Sequence, residues 1–373
     1  MSMLKHFILT GFAMGLLASN HDLLAADDDF KPLFNGKDLN GWVLTNTPAE
    51  TWSFEDGMLK CTGKPIGEIR TEKMYQNFIM EVEWRHMVPG GNAGIFVWAD
   101  DITAKGVPFH RGVEVQVLEN AYGQSQGHTT HGDIFPIHGA TMTPINGRGG
   151  SRAFPTEERS KPSPEWNHYR IECNDGAISL SVNGKLVTQG KDASPRKGYI
   201  CIESEGGVVH YRNVKIQELP DTPVKPEQIA IANRGYRSLY NGLNLDGWKL
   251  NKEGEGNWHS QDWILACDGK AESVKGQMLS TKERFKNYGF LFDIKPGQGF
   301  DGVAVSSGML PTQYTKIGEW SRLEGVIENG KMSISVNGEQ VTSDNPVPES
   351  GPFELYLVGP AEFANIYVRE IKK

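Results

Sequence analysis

Between Gly112 and Pro144 the chain reads GVEVQVLENAYGQSQGHTTHGDIFPIHGATMTP, a stretch that gathers residues able to move protons. Four of the ten histidines fall between His110 and His138, and Asp133 follows His131 by two places. Val113, Val115 and Val117 alternate with Glu114 and Gln116, the period of a half-buried strand with its polar side chains on one face. Carboxylates beside imidazoles equip a site for general acid–base chemistry. Glu114, His131 and Asp133 are therefore the expected catalytic residues. Gln116, Arg85, Asn92, Trp98, His138 and Glu119 are the expected substrate contacts, because amides, charged groups and an indole face suit the hydroxyls and ring faces of a sugar. Arg85 and Glu83 reach that groove if their strand neighbours Glu114. His131, Asp133 and Glu114 could also hold a divalent metal ion, but no fixed ligand spacing identifies one.

Glu114-Val-Gln-Val-Leu-Glu119 offers a second chemistry. Jelly-roll glucanases carry a Glu-x-Asp-x-x-Glu strand whose two glutamates act as nucleophile and acid. Retaining glycosidases need such a pair about 5 Å apart. Here Gln116 replaces the middle acid, and only a bulge would put Glu114 and Glu119 on one face.

The elements that must position these residues are short alternating runs separated by Gly, Pro and Asn-Gly, the pattern of an all-β sandwich. The runs occur twice. Phe30-Lys-Pro-Leu-Phe-Asn-Gly-Lys-Asp-Leu-Asn-Gly-Trp42 returns as Tyr236-Arg-Ser-Leu-Tyr-Asn-Gly-Leu-Asn-Leu-Asp-Gly-Trp248. Gly94-Ile-Phe-Val97 returns as Gly302-Val-Ala-Val305, and Ser181-Val-Asn-Gly184 as Ser335-Val-Asn-Gly338. Both Ser-Val-Asn-Gly sites read as type I′ hairpin turns. The expected organisation is a first β domain at 27–219, a proline-containing linker at 220–234, and a second, smaller copy at 235–373. Sixty-eight positions separate Trp98 from Trp166, whereas fourteen separate the matching Ser306 and Trp320. The second copy lacks the stretch carrying Glu114, the histidines and Asp133. It reads as a structural or binding module, in which Trp248, Trp258 and Trp263 are core residues or a sugar platform.

The formal net charge of −8 and the lack of a basic run beyond the first residues argue against nucleic acid as a partner. Residues 1–26 read as a secretory signal: Lys5, an apolar run from Phe7 to Ala18 too short to span a bilayer, then Ala25-Ala26. An exported protein, periplasmic or extracellular and without a membrane span, is expected. Cys173 and Cys201 could pair in such a compartment, or all four cysteines could be buried thiols.

Several further runs resemble the 3-keto-disaccharide hydrolase family. They are Gly67-Glu-Ile-Arg-Thr-Glu-Lys-Met-Tyr-Gln-Asn-Phe78, Glu83-Trp-Arg85, Pro89-Gly-Gly-Asn-Ala-Gly-Ile-Phe96, Gly112 to Glu119, Thr130 to Thr141, Pro164-Glu-Trp-Asn167 and Tyr211-Arg-Asn213. The likeness covers nearly all of 30–219, and only framework positions persist beyond 236. Ala93 stands where the family often has Ser, and Trp98 where it has Arg. The resemblance implies two tandem concanavalin A-like jelly-roll sandwiches and action on sugars oxidised at C3. A C3 ketone acidifies the proton on C2; a base removes it, the C1 substituent leaves, and water adds back. Glu114 or His131 would be the base, His131 or His138 the acid, and Asp133 would orient a histidine. Gln116, Asn92 and Arg85 would hold the substrate, and a metal ion could stabilise the enolate. A lectin without turnover is the alternative that the same fold allows.

Overall fold

The structure is a computed structural model describing residues 29–269, 276–310 and 312–371; the leader expected at 1–26 lies outside them. Alternation along the strands decides what faces inward. In Phe78–His86, the residues Phe78, Met80, Val82, Trp84 and His86 are buried, while Glu81, Glu83 and Arg85 turn outward. This strand pairs antiparallel with Asn167–Asn174 and Val209–Glu218 at the centre of a nine-stranded sheet. A six-stranded sheet faces it, in the order Trp42–Thr45, Gly67–Thr71, Tyr199–Ser204, Gly94–Ala99, Gly112–Gln116, Ile134–Ile137. Ile69, Ile95, Val113, Val115 and Ile202 share one core with Met80, Val82, Tyr169 and Ile171 from the opposite sheet. This is the jelly-roll type of sandwich packing.

Residues 237–370 repeat the arrangement with an eight-stranded and a five-stranded sheet around Leu265, Leu279, Phe290, Phe292, Leu355 and Phe363. The fold is thus all-β, two tandem sandwiches with the second smaller. The repeated opening builds the same local structure twice. Trp42 Nε1 donates to Leu33 O at 3.0 Å, and Trp248 Nε1 to Leu239 O at 3.1 Å. Both Asn-Gly hairpins have positive φ at their two central residues, 50° and 83° at Asn183-Gly184 and 51° and 83° at Asn337-Gly338. Trp248 and Trp258 lie in the second core rather than on a platform. Trp263 is half-buried beside Trp320. All four cysteines are free and buried, so Cys173 and Cys201 do not pair. Cys173 belongs to the nine-stranded sheet and Cys201 to the six-stranded one. Among the described residues no helix is long and apolar enough to cross a membrane.

Candidate active site

The four inner strands of the six-stranded sheet are buried on both faces. Gly67–Thr71, Gly112–Gln116 and Tyr199–Ser204 are buried at every residue although they carry Glu68, Arg70, Glu114, Gln116 and Glu203. Buried charge is the informative exception in a sandwich. Alternation puts these polar side chains on the face opposite the core. Pairing then aligns them, because Glu68 is opposite Glu203, Gly94 opposite Gln116, and Phe96 opposite both Glu114 and Cys201. Gly94 supplies the room. A methyl group there would lie 2.8 Å from Glu114 Oε1 and 2.9 Å from Glu203 Oε2.

Electrostatics raise the pKa of three carboxyls in this cluster. Burial, with Glu205 close by, pushes Glu114 well above the usual carboxylate range, and Arg152 opposes the shift only in part. Burial and the carboxylates of Glu205, Glu114 and Glu68 push Glu203 up in the same sense. Glu205 is half-buried at the edge of the cluster, and burial raises it to about 7 even though a hydrogen bond with Glu203 pulls the other way. Like charges this close cannot all ionise, so protons are shared among them.

The edges of the cluster are hydrogen-bonding groups. Gln116 Nε2 donates to Asn92 Oδ1 at 2.9 Å, and Asn92 Nδ2 donates to Glu205. Arg152 Nη1 bonds Asp133 Oδ2 at 2.9 Å and approaches Gln116 Oε1 at 3.4 Å, with its guanidinium carbon 3.4 Å from the centre of the Phe135 ring. At the deep end, the His110 backbone N–H donates to Glu68 Oε2 at 3.0 Å, and His110 Nδ1 bonds the same oxygen. Glu68 Oε1, His110 Nε2 and Glu203 Oε2 are buried without a hydrogen-bond partner among the described residues. Glu68, His110 and Cys201 offer ligand atoms within 4.8 Å of one another, a donor set able to hold a borderline divalent cation.

The structure brings together part of what the sequence suggests. Glu114, Gln116 and Asn92 meet at one place, with Asp133 anchoring Arg152 beside them. His138 is exposed near Glu68 and His110; desolvation of its ring lowers its pKa, with Glu68 opposing and His110 adding to the shift. His131 is turned elsewhere. Its ring meets Ser160 Oγ at 3.0 Å and the Gln124 amide, with Glu158 at 3.5 Å, so it anchors its own loop. Burial lowers its pKa as well. The expected metal set of His131, Asp133 and Glu114 does not assemble, because Asp133 is held by the Thr129 N–H, the Thr129 hydroxyl and Arg152.

Glu119 does not join Glu114 as a glycosidase pair. It caps the Asn120–Tyr122 turn and accepts from the backbone N–H groups of Gly90, Ala121 and Ser163 at 2.6, 2.7 and 2.9 Å. Burial would raise its pKa, but these three donors outweigh it and hold the carboxyl below its ordinary value. Arg85 lies on the outer face of the nine-stranded sheet, over the Trp166 ring and beside His210, because its strand belongs to the other sheet. Trp98 is fully buried in the core with its Nε1 donating to Gln76 O at 2.9 Å, so its face is closed to a sugar. Its φ of 56° is the cause: the strand bulges there, and the side chain that alternation would turn outward points inward.

Sequence reasoning passed over Glu68, His110, Arg152, Glu203 and Glu205. The signal for two of them was the alternation of Glu68-Ile-Arg70 and Cys201-Ile-Glu203. The second copy sharpens the contrast. Thr71 Oγ1 accepts the Ile200 N–H at 3.1 Å, and Thr281 Oγ1 accepts the Phe353 N–H at 2.9 Å, which aligns the two strand pairs. Three residues before each threonine stand Glu68 and Met278; three after Ile200 and Phe353 stand Glu203 and Tyr356. The acid cluster therefore belongs to the first domain.

Comparison with known proteins places the chain. A search of curated proteins returned no match. Among solved structures, two candidate glycosyl hydrolases from Parabacteroides distasonis are similar to it. One shares 23% identity over 52% of this chain and 95% of its own, with a TM-score of 0.40. The other shares 25% over 51% and 99%, with a TM-score of 0.38. The carbohydrate-binding module CBM66 from Bacillus subtilis shares 13% over 48% and 95%, with a TM-score of 0.35. A family model described as the 3-keto-alpha-glucoside-1,2-lyase-like domain matches residues 29–217, the whole of the first sandwich and its acid cluster. With half of its length matched, the chain belongs to that family.

Proposed function

We propose that the first domain cleaves 3-keto-glycosides by elimination across C1 and C2, followed by hydration. The observation that carries this reading is the group of three raised carboxyls, Glu114, Glu203 and Glu205, beside the amides of Gln116 and Asn92. An α-proton of a ketone calls for a base tuned close to neutral pH, and Glu205 meets that requirement. Glu205 takes the C2 proton, and the C–H electron pair becomes the C2=C3 bond of an enolate. The enolate is held by the Arg152 guanidinium and the neighbouring amides. As C3=O re-forms, a C1=C2 bond forms, the C1–O bond breaks, and the departing oxygen takes a proton from Glu114, the buried acid. Water then adds at C1 with a proton at C2, which completes hydrolysis.

Glu68, His110 and Cys201 would hold a divalent ion, the one cofactor this reading admits. Such an ion supplies Lewis acidity toward a carbonyl oxygen. Loss of turnover on chelation, restored by adding the ion back, tests that part.

The elimination itself is tested with a 3-keto-glucoside deuterated at C2. A primary isotope effect on turnover is expected. Turnover that is insensitive to C2 deuteration contradicts the mechanism. One observation favours a second reading, an ordinary retaining glycosidase: Glu114 and Glu203 flank Gly94 closely enough to serve as the carboxyl pair that Glu114 and Glu119 do not form.

A further inference from the structure

The loop between Ala99 and Gly112 carries His110 to the deep end of the acid cluster, and its tip, residues 103–107, is hydrogen-bonded to the second domain. Asp293, fully buried, accepts from the Gly106 N–H at 2.8 Å. The same carboxylate takes Arg322 Nε at 2.8 Å, Arg322 Nη2 at 2.9 Å and Asn365 Nδ2 at 2.7 Å. Arg322 Nη2 also donates to Thr103 O at 2.9 Å. Asn365 Nδ2 reaches Ala104 O at 3.0 Å and Val107 O at 2.9 Å. Asn365 Oδ1 accepts from Asn46 Nδ2 of the first domain at 2.8 Å. The hydroxyls of Tyr367 and Thr103 bond at 2.8 Å. Ile102 packs with Tyr236, Leu291 and Tyr367. Gly106, at φ 72°, lies so close to the Trp320 ring that a methyl group there would collide with it.

These contacts do more than join two bodies. A buried carboxylate with one guanidinium and two further donors is a rigid arrangement, and removing one partner leaves a buried group unmatched. The loop's base is tied to the first domain through Arg70 Nε to Asp101 O at 2.7 Å, and its end through His110 N to Glu68. The tip between them, residues 103–107, is matched by second-domain groups. We propose that the second domain is a built-in template for this loop, and that Asp293, Arg322 and Asn365 are positioning residues for the Glu68–His110 end of the site. This assigns the copy without an acid cluster a part in the chemistry of the copy that has one. The catalytic side of the proposal rests on the reading of the acid cluster given above.

The test uses the full chain and two variants. Tyr367→Phe removes one hydroxyl from the interface, and Asn365→Asp removes the donor amide and sets a carboxylate against Asp293. Amide hydrogen exchange at Gly106 and His110, and carbethoxylation of His110 by diethyl pyrocarbonate, report loop position without any substrate. Exchange at both amides is expected to rise severalfold in Tyr367→Phe and at least about tenfold in Asn365→Asp, with His110 becoming reactive. Amides of the 94–99 and 199–204 strands should keep their protection. Exchange that rises only within 288–296 and 361–370, with Gly106 and His110 still protected, overturns the template. A lower kcat on a 3-keto-glucoside with little change in KM is the expected catalytic companion. Failure of that assay with both wild type and variants would count against the elimination reading and leave the exchange result to decide the template.

Discussion

Glu114 and Glu203 meet across Gly94, whose missing side chain leaves space for Oε atoms of both carboxyls within 3 Å of one point. Their strands are far apart in sequence and are brought together only because Gly94–Ala99 lies between them in the sheet. The arrangement obliges at least one of the two to keep its proton, and burial makes that the favoured state for both.

Gly94→Ala tests that relationship directly. The added methyl has nowhere to go without moving a carboxyl, so the variant should lose about 1–3 kcal/mol of stability through overpacking. Its kcat/KM should fall at least about tenfold, read beside a thermal melt. Normal turnover in the folded variant would show that the spacing across Gly94 does not matter.

Glu205→Gln should lower kcat/KM by at least about a hundredfold, since it removes the base. In the wild type, kcat/KM should rise with pH to a plateau with a midpoint near the Glu205 value of about 7. Stability moves the other way. The folded-state pKa is raised, so the native protein binds the proton more tightly than the unfolded chain, and stability falls as pH rises from the ordinary carboxylate range through about 7. Glu205→Gln should therefore melt higher than wild type at pH 8.5 and close to it at pH 4. The opposite ordering would place an ionised Glu205 in a stabilising contact.

Glu119→Gln separates structure from chemistry. Three backbone donors depend on this carboxylate, and its lowered pKa means that its stabilisation is present above the ordinary carboxylate range and is lost as pH falls. The variant should lose about 1–2 kcal/mol by denaturant titration. Its turnover, measured while folded, should stay within a fewfold of wild type. Abolished turnover would restore Glu119 to the site.

His131→Ala should likewise weaken its loop rather than the chemistry. Its partners are Ser160, Gln124 and Glu158, and a drop of less than about tenfold in kcat is expected. A loss of a hundredfold or more would show that the loop swings His131 onto the substrate.

How much of this was legible in the chain depended on how local each signal was. The period-two pattern identified the strands, the repeat identified two sandwiches, and Glu114, Gln116 and Asn92 came from one polar strand face and a nearby turn. Glu68 and Glu203 carried the same alternation, but their approach depends on pairing Gly67–Thr71 with Tyr199–Ser204, which no local pattern encodes. Arg85 was misplaced for the same reason: alternation fixes which way a side chain leaves its strand, not which sheet the strand joins. Trp98 was misplaced by a single backbone residue, because one positive φ reverses the face of everything that follows a regular count. His131 shows the limit of composition. Imidazoles concentrated in a loop mark where the loop is tied down as readily as where protons move.

The most direct measurement is turnover of a 3-keto-glucoside beside its unoxidised parent, using the purified protein under identical conditions. The account predicts cleavage of the keto sugar, with a conjugated enone seen transiently by ultraviolet absorbance, and no cleavage of the parent. Cleavage of the parent at a comparable rate would contradict the elimination route and turn the Glu114–Glu203 pair into an ordinary glycosidase dyad. Binding of either sugar without turnover would contradict catalysis altogether.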